Sequence, residues 1–171
     1  PIIYMINIDK PDNIDELQWQ EAERQGIVYN EYRNKVIASL ALKHMEEKVL
    51  IMTKYIEQGR QINNLLKDYQ FICNDTPLKD RIKAVEDFEN GLSKILIVSR
   101  ILDEGIDIKN FKVLIIASGG HRFIKTIQRL GRGLRVTKEK DSIVVYDFLD
   151  KTHNVLLKHS LNRIKFYKHF G

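Results

Sequence analysis

Four short apolar runs leave this chain few ways to fold: Val49-Leu50-Ile51-Met52, Ile95-Leu96-Ile97-Val98, Val113-Leu114-Ile115-Ile116 and Ile143-Val144-Val145-Tyr146. None alternates with polar residues, so each needs cover on both faces, as strands of a parallel sheet do. Phe71-Ile72-Cys73 is a shorter segment of the same kind. Between the runs, apolar residues recur at helical spacing: Ile56, Ile62, Leu65 and Leu66, then Ile82, Val85 and Phe88. Strand and helix alternating at this pitch imply parallel strands joined by right-handed crossovers. The expected fold is α/β, an open, mostly parallel sheet with helices on both faces.

The flanking segments extend this scheme. Ile2 to Ile8 alternates loosely and predicts a short strand at a sheet edge. Asp12 and Asn13 offer helix caps, with Glu16 three residues after Asn13. The helix they open is expected to run to about Gln25 and stop at Gly26. Asn30 caps a second helix, with Val36, Ile37, Leu40 and Ala41 on one face. With no strand between these helices, residues 1–46 are expected to form a strand and helical lead-in packed on the same domain as residues 47–171. Further on, Thr76 caps a helix that has Pro77 at its first position, and Gly91 ends it. A helix is predicted over 126–134, and a basic helix closes the chain, with Val155, Leu156 and Leu157 early and Ile164 and Tyr167 late.

Several classes of protein are disfavoured. At 171 residues the chain suits one domain with one substantial core. No apolar run approaches the ~18 residues of a membrane helix. The first residues lack the basic region and cleavage site of a secretory signal. The chain starts at Pro1 without a methionine, so it is expected to be part of something longer. Its single cysteine, Cys73, can form neither an internal disulfide nor a zinc cage and is expected in the core. An intracellular protein is the default: cytoplasmic in a bacterium or phage, nuclear in a eukaryote. His153, His159 and His169 do not form a metal-ligand set. Trp19 and Tyr29 are expected to pack rather than to stack on bases.

The net charge is +5, unevenly spread. Residues 121–171 hold 12 Lys and Arg against 4 Asp and Glu, a net of +8, which leaves −3 for the first 120. Such segregation fits either a polyanion on one side or a solvated basic face.

In open α/β sheets, ligands gather at the carboxyl ends of the strands. Two such segments carry chemistry. The first is Ser99-Arg100-Ile101-Leu102-Asp103-Glu104-Gly105-Ile106-Asp107-Ile108. A serine at a strand end can donate to a phosphate, Gly105 lets backbone approach a ligand, and Asp107 can accept from a ribose. The same residues also suit a polar loop with a glycine turn and a capping aspartate. The second segment is Gln128-Arg129-Leu130-Gly131-Arg132-Gly133-Leu134-Arg135. On a helix, each three-residue step turns roughly 300°, which puts Arg129, Arg132 and Arg135 on one drifting stripe. Arginine offers a planar fork of donors matched to phosphate oxygens. Two glycines in such a helix cost about 1 kcal/mol each against alanine. That cost makes sense where something must approach the backbone or the arginines need a particular aim; the alternative is a basic surface helix.

Together these segments resemble motifs V and VI of superfamily 2 helicases. Motif V runs as apolar strand, Thr or Ser, several residues, then Gly-x-Asp, and Ser99 through Asp107 fits that frame. Motif VI is Gln/His-Arg-x-Gly-Arg-x-x-Arg, and Gln128 to Arg135 fits at every fixed position. Val49 to Thr53 looks like motif IV, and Arg81 through Phe88 with Gly91 resembles the family's approach to motif V. Asn30-x2-Arg33-Asn34, and Tyr146-Asp147-Phe148 with Arg163 and Tyr167, resemble the DNA-repair and recombination branch.

The resemblance implies the C-terminal RecA-like lobe of a two-lobed, ATP-dependent motor. ATP and Mg2+ would be anchored mainly by an N-terminal RecA-like lobe of the same polypeptide. These 171 residues contain no Gly-x4-Gly-Lys-Ser/Thr, and Asp103-Glu104 lies in the motif V loop, the wrong place for magnesium. Arg132 and Arg135 would act as arginine fingers, with Gln128 beside them. Gly105, Asp107 and Arg129 would line the nucleotide side. Ser99, and with it Thr53 and Lys54, would grip the backbone of a nucleic acid, with DNA favoured. His121 and Arg122, after Ser118-Gly119-Gly120, either touch nucleic acid or belong to a flexible loop. The fragment alone is expected to be inactive as an ATPase. The competing expectation is a non-catalytic nucleic-acid or protein adaptor derived from a helicase lobe.

Overall fold

A computed structural model describes residues 1–9, 14–67, 69–99, 108–120 and 143–170. Its strands are β1 (Ile2–Ile8), β2 (Val49–Thr53), β3 (Gln70–Cys73), β4 (Ile95–Ser99), β5 (Val113–Ile116) and β6 (Val144–Asp150). Its α-helices are α1 (Trp19–Glu23), α2 (Glu31–Lys43), α3 (Ile56–Leu66), α4 (Leu78–Glu89) and α5 (Asn154–Phe170). The six strands form one sheet in the order β1-β6-β5-β2-β4-β3, and every pairing is parallel.

The continuous apolar runs lie where burial on both faces requires them. Every residue of β2, β4 and β5 is buried, and these are the three central strands. On one face Leu50, Met52, Leu96, Val98, Leu114 and Ile116 pack beneath Ala84, Val85 and Phe88 of α4. On the other, Val49, Ile51, Ile95, Ile97, Val113 and Ile115 meet Ile37, Ala38 and Ala41 of α2 and Ile62 and Leu66 of α3. The strand alternation thus feeds two cores through one sheet. Strand β1 pairs with β6 over its full length and forms one edge of the sheet. Cys73 is buried at the end of the opposite edge strand.

Several local expectations need correction. Helix α1 begins only at Trp19, and Gly26 does not stop it. The chain continues through a π-helical turn, Arg24–Val28, in which Tyr29 N–H reaches Arg24 O at 2.8 Å. Gly26 sits there because a Cβ would come within 2.7 Å of Thr152 Oγ1 and 2.8 Å of Leu156 Cδ1. It is a contact glycine against α5 rather than a stop. Asp12 and Asn13 lie outside the described residues. Thr76 does not cap α4: Pro77 is the N-cap, and Thr76 Oγ1 accepts from Cys73 N–H at 3.1 Å. Strand β6 runs four residues past Tyr146, to Asp150. Trp19 and Tyr29 are 47% and 41% exposed, so neither is a core residue. Leu65 and Ile82 are also largely exposed. The predicted helix over 126–134 lies outside the described residues.

Asn30 does cap α2, accepting from Arg33 N–H at 3.0 Å while its amide donates to Gly26 O at 3.2 Å. Asn30→Ala is therefore expected to lower the stability of the chain by about 1 kcal/mol. The urea midpoint measures this, and an unchanged midpoint would show the cap to be idle.

Candidate functional site at the carboxyl edge of the sheet

All six strands are parallel, so their carboxyl ends share one edge. Strand order departs from sequence order around β2, which lies between β4 and β5. Such a reversal opens the crevice where ligands bind in sheets of this kind. Along this edge Thr53 stands beside Ser99, and Ser99 beside Cys73. Ala117 continues from β5, its N–H donating to Met52 O at 2.9 Å.

Ser99 is fully buried, and its hydroxyl has no hydrogen-bond partner among the described residues. Ser118, two strands away, is in the same condition. A buried hydroxyl left unpaired costs about 1–3 kcal/mol, which marks both as donors with unused capacity. Thr53 differs: its Oγ1 donates within the protein, to Tyr55 O at 3.2 Å and to Val98 O at 3.4 Å. The Lys54 ammonium lies 2.8 Å from both carboxylate oxygens of the buried Glu23, whose Oε2 also accepts from the Tyr55 hydroxyl at 2.6 Å. Burial works against the Lys54 charge, but Glu23 and Tyr55 outweigh it and hold the ammonium pKa above its ordinary value. Burial, then Glu23, pushes the Tyr55 phenol up as well. The structure thus brings Ser99 and Thr53 side by side and ties Lys54 to the lead-in. Gly105, Asp107, Gln128, Arg129, Arg132 and Arg135 lie outside the described residues, as do His121 and Arg122.

The same edge carries a cluster of buried charge for which sequence reasoning assigned no role. Arg33 of α2 and Arg163 of α5 are both fully buried, as are Asp147 and Asp150 of β6. Arg33 Nε donates to Asp150 Oδ1 at 2.8 Å, its Nη1 donates to Ala117 O, and its guanidinium lies 4.4 Å from the centre of the Phe148 ring. Arg163 Nε donates to Asp147 Oδ2 at 2.8 Å and Nη1 to Gly119 O at 2.7 Å. Its Nη2 reaches Asp147 Oδ1 at 3.1 Å and Phe148 O at 2.9 Å. Tyr167 donates its hydroxyl to Asp147 Oδ2 at 2.7 Å.

These environments raise the pKa of three groups, each by a different balance of burial and charge. Burial lowers the Arg163 charge's stability, but Asp147 more than restores it, so its pKa stands above the usual guanidinium value. Burial, then the Asp147 charge, pushes the Tyr167 phenol far above its usual range. Burial also pushes the Asp150 carboxyl up, with Arg33 opposing it. Arg33, Asp147, Arg163 and Tyr167 were visible in the sequence as motif residues. Asp150 was not, although two aspartates within an otherwise apolar strand signal buried partners.

An open, all-parallel α/β lobe with its polar chemistry on one carboxyl edge is the class that this geometry defines. The family model described as "Helicase conserved C-terminal domain" matches residues 9–137, and the chain belongs to that family: it is a RecA-like C-terminal lobe of the superfamily 2 helicase type. Among its relatives is the ATP-dependent DNA helicase uvsW of Enterobacteria phage T4, 30% identical over 159 residues, covering 79% of this chain and 31% of that protein. Another is the DNA 3'-5' helicase XPB of Kineococcus radiotolerans, 31% identical over 121 residues, covering 70% of this chain and 21% of that protein. The crystal structure of T4 UvsW superposes with a TM-score of 0.76 at 26% identity, over 98% of this chain and 39% of that one. The C-terminal domain of the DEAD-box protein Dbp5 shares the fold, with a TM-score of 0.66 at 20% identity, over 99% of this chain and 86% of that one. The chain spans 31% and 21% of the length of the two curated relatives described. No helix among the described residues is long and apolar enough to cross a membrane.

Proposed function

We propose that this chain is the second motor lobe of an ATP-dependent helicase or translocase, supplying arginine fingers to a nucleotide held by another lobe of the same polypeptide. The observation that carries this reading is the position of Ser99. It ends a fully buried central strand, its hydroxyl has no partner among the described residues, and it opens the segment that bears Gly105 and Asp107. A phosphate oxygen of a nucleic-acid backbone is a fitting acceptor for that hydroxyl.

In this mechanism Arg132 and Arg135 reach the γ-phosphate and offset charge in the transition state, with Gln128 beside the phosphate or the attacking water. Gly105 and Asp107 line the nucleotide, and Arg129 belongs to the same surface. Magnesium-bound ATP supplies the phosphoanhydride whose cleavage drives the cycle. The described residues contain no group of three or more His, Cys, Asp or Glu suited to a metal. With no Gly-x4-Gly-Lys-Ser/Thr in these 171 residues, magnesium falls to the other lobe. By completing the nucleotide's coordination the arginines draw the lobes together, and after hydrolysis they lose that hold. Ser99 grips the strand backbone and positions it without reading sequence. Thr53 and Lys54 contribute to the same grip only if their internal bonds to Val98 and Glu23 open. The likeness to the DNA helicases uvsW and XPB favours DNA, and the motif residues Arg33, Asp147 and Arg163 favour repair or recombination intermediates.

The isolated 171-residue chain is expected to show negligible ATP turnover and weak, salt-sensitive binding to nucleic acid. Colorimetric phosphate release with and without single-stranded DNA measures this. Robust turnover by the pure chain, lost on Arg132→Ala, would overturn the division of labour between lobes.

A further inference from the structure

Sequence motifs leave one feature of the carboxyl edge unexplained. The segment Ala117-Ser118-Gly119-Gly120 leaves β5 and leads in sequence to Gln128–Arg135. It contains two glycines and a serine whose hydroxyl has no partner among the described residues, so its side chains do little to fix its path. Its carbonyls are fixed instead. Ala117 O accepts from Arg33 Nη1 and, at 3.3 Å, from Gln58 Nε2. Gly119 O accepts from Arg163 Nη1 at 2.7 Å. Gly119 also rests on Ile27: a Cβ there would lie 2.8 Å from Ile27 Cδ1. Three long side chains from three helices thus converge on two carbonyls of one short segment.

The energetics indicate what this arrangement is for. Burying two ion pairs usually gains little over well-packed apolar residues of the same volume, because desolvation offsets the attraction. An apolar pair would fill the space but could not hold a carbonyl. The guanidinium is suited to this: one fork engages the carboxylate and the remaining N–H donates elsewhere. Arg163 divides its donors in this way between Asp147 and Gly119 O, and Arg33 between Asp150 and Ala117 O.

We propose that Arg163, held by Asp147 and Tyr167, and Arg33, held by Asp150, are positioning residues that clamp the Ala117 and Gly119 carbonyls and so fix where the arginine-bearing segment departs from the sheet. This rests on the motor-lobe reading above. It adds that α5 and the lead-in helix α2 set the rate of hydrolysis without touching nucleotide. Through them, whatever moves α5 acts on the ATP site.

The test uses the full-length protein that contains this chain. Arg163→Lys keeps a cation for Asp147 but loses the fork that spans to Gly119 O. The double variant Asp147→Leu/Arg163→Met removes the pair and leaves no lone charge buried. DNA-stimulated hydrolysis is measured for each, per molecule in which this lobe resists limited proteolysis, so that loss of folded protein is divided out. Displacing reacting groups by about 1 Å costs on the order of 10²-fold in rate. Both variants are expected to lose roughly 10- to 100-fold in kcat, with the KM for ATP within about twofold of wild type. Unchanged kcat per folded molecule in Arg163→Lys would overturn the clamp, as would a loss confined to KM. Arg132→Ala, run in parallel, separates the two claims. If it abolishes turnover while Arg163→Lys does not, only the clamp falls; if it leaves turnover intact, the motor-lobe reading falls first.

Discussion

Arg132→Ala in the full-length protein is expected to abolish nucleic-acid-stimulated ATP hydrolysis while leaving ATP binding within a few-fold of wild type. The split follows from where the charge develops. In the ground state the nucleotide is held by its phosphate loop and magnesium, both assigned to the other lobe. In the transition state, negative charge spreads over the transferring phosphoryl oxygens, and a guanidinium placed there is worth roughly 10³ to 10⁵ in rate. An interaction made chiefly in the transition state lowers kcat and kcat/KM together and leaves ground-state affinity alone. Arg132→Lys restores little, because a lysine ammonium cannot present two parallel N–H groups to two oxygens. Single-turnover hydrolysis with a parallel equilibrium titration measures both quantities. Normal turnover in Arg132→Ala would remove the finger assignment.

Asp147→Ala is expected to be among the most destabilising single substitutions in the chain. It would leave the Arg163 guanidinium buried with its nearest carboxylate at 4.0 Å, on Asp150, and strip the Tyr167 hydroxyl of its acceptor. Breaking one side of a buried ion pair costs about 3–5 kcal/mol. For a domain of this size that lowers the melting temperature by roughly 10–15 °C. The paired replacement Asp147→Leu/Arg163→Met should recover most of the loss, since apolar residues of similar volume often match a buried pair. Urea denaturation of the wild type and these two variants measures both effects. A cost below about 1 kcal/mol for Asp147→Ala would mean that water reaches the pair and that its energetics are those of a surface bridge. The double variant thus separates stability from positioning: it should fold well and hydrolyse poorly.

The parts of the fold legible in the sequence were those dictated by burial. Continuous apolar runs at Val49, Ile95 and Val113 could only be covered strands, and they are the three central ones. Asn30 was legible as a cap because its side chain does local work. Gly26 misled because its role depends on tertiary partners, and Thr76 because its hydroxyl serves the strand before it rather than the helix after it. Gly26 answers to Thr152 and Leu156, more than a hundred positions away, and Thr76 turns back to Cys73. Strand β6 was cut short at Tyr146 because Asp147 and Asp150 look like the polar end of a strand. They are inside the molecule because Arg163, from the helix that follows the strand, and Arg33, from α2 far back in the sequence, neutralise them. A helical pattern does not show which of its arginines will be buried, so the carbonyl clamp could not be read from spacing. Ser99 and Thr53 were both placed at strand ends from sequence, and they do stand side by side. Only the structure distinguishes a hydroxyl with unused capacity from one bonded internally.

The most direct measurement is a structure of the full-length protein on a nucleic-acid strand, trapped with ADP and aluminium fluoride. The account predicts the guanidinium groups of residues 132 and 135 against the fluoride, on the same surface as Gly105 and Asp107, with Ser99 Oγ on a backbone phosphate. Those two side chains turned into ion pairs within this lobe, or facing away from the nucleotide, would contradict it.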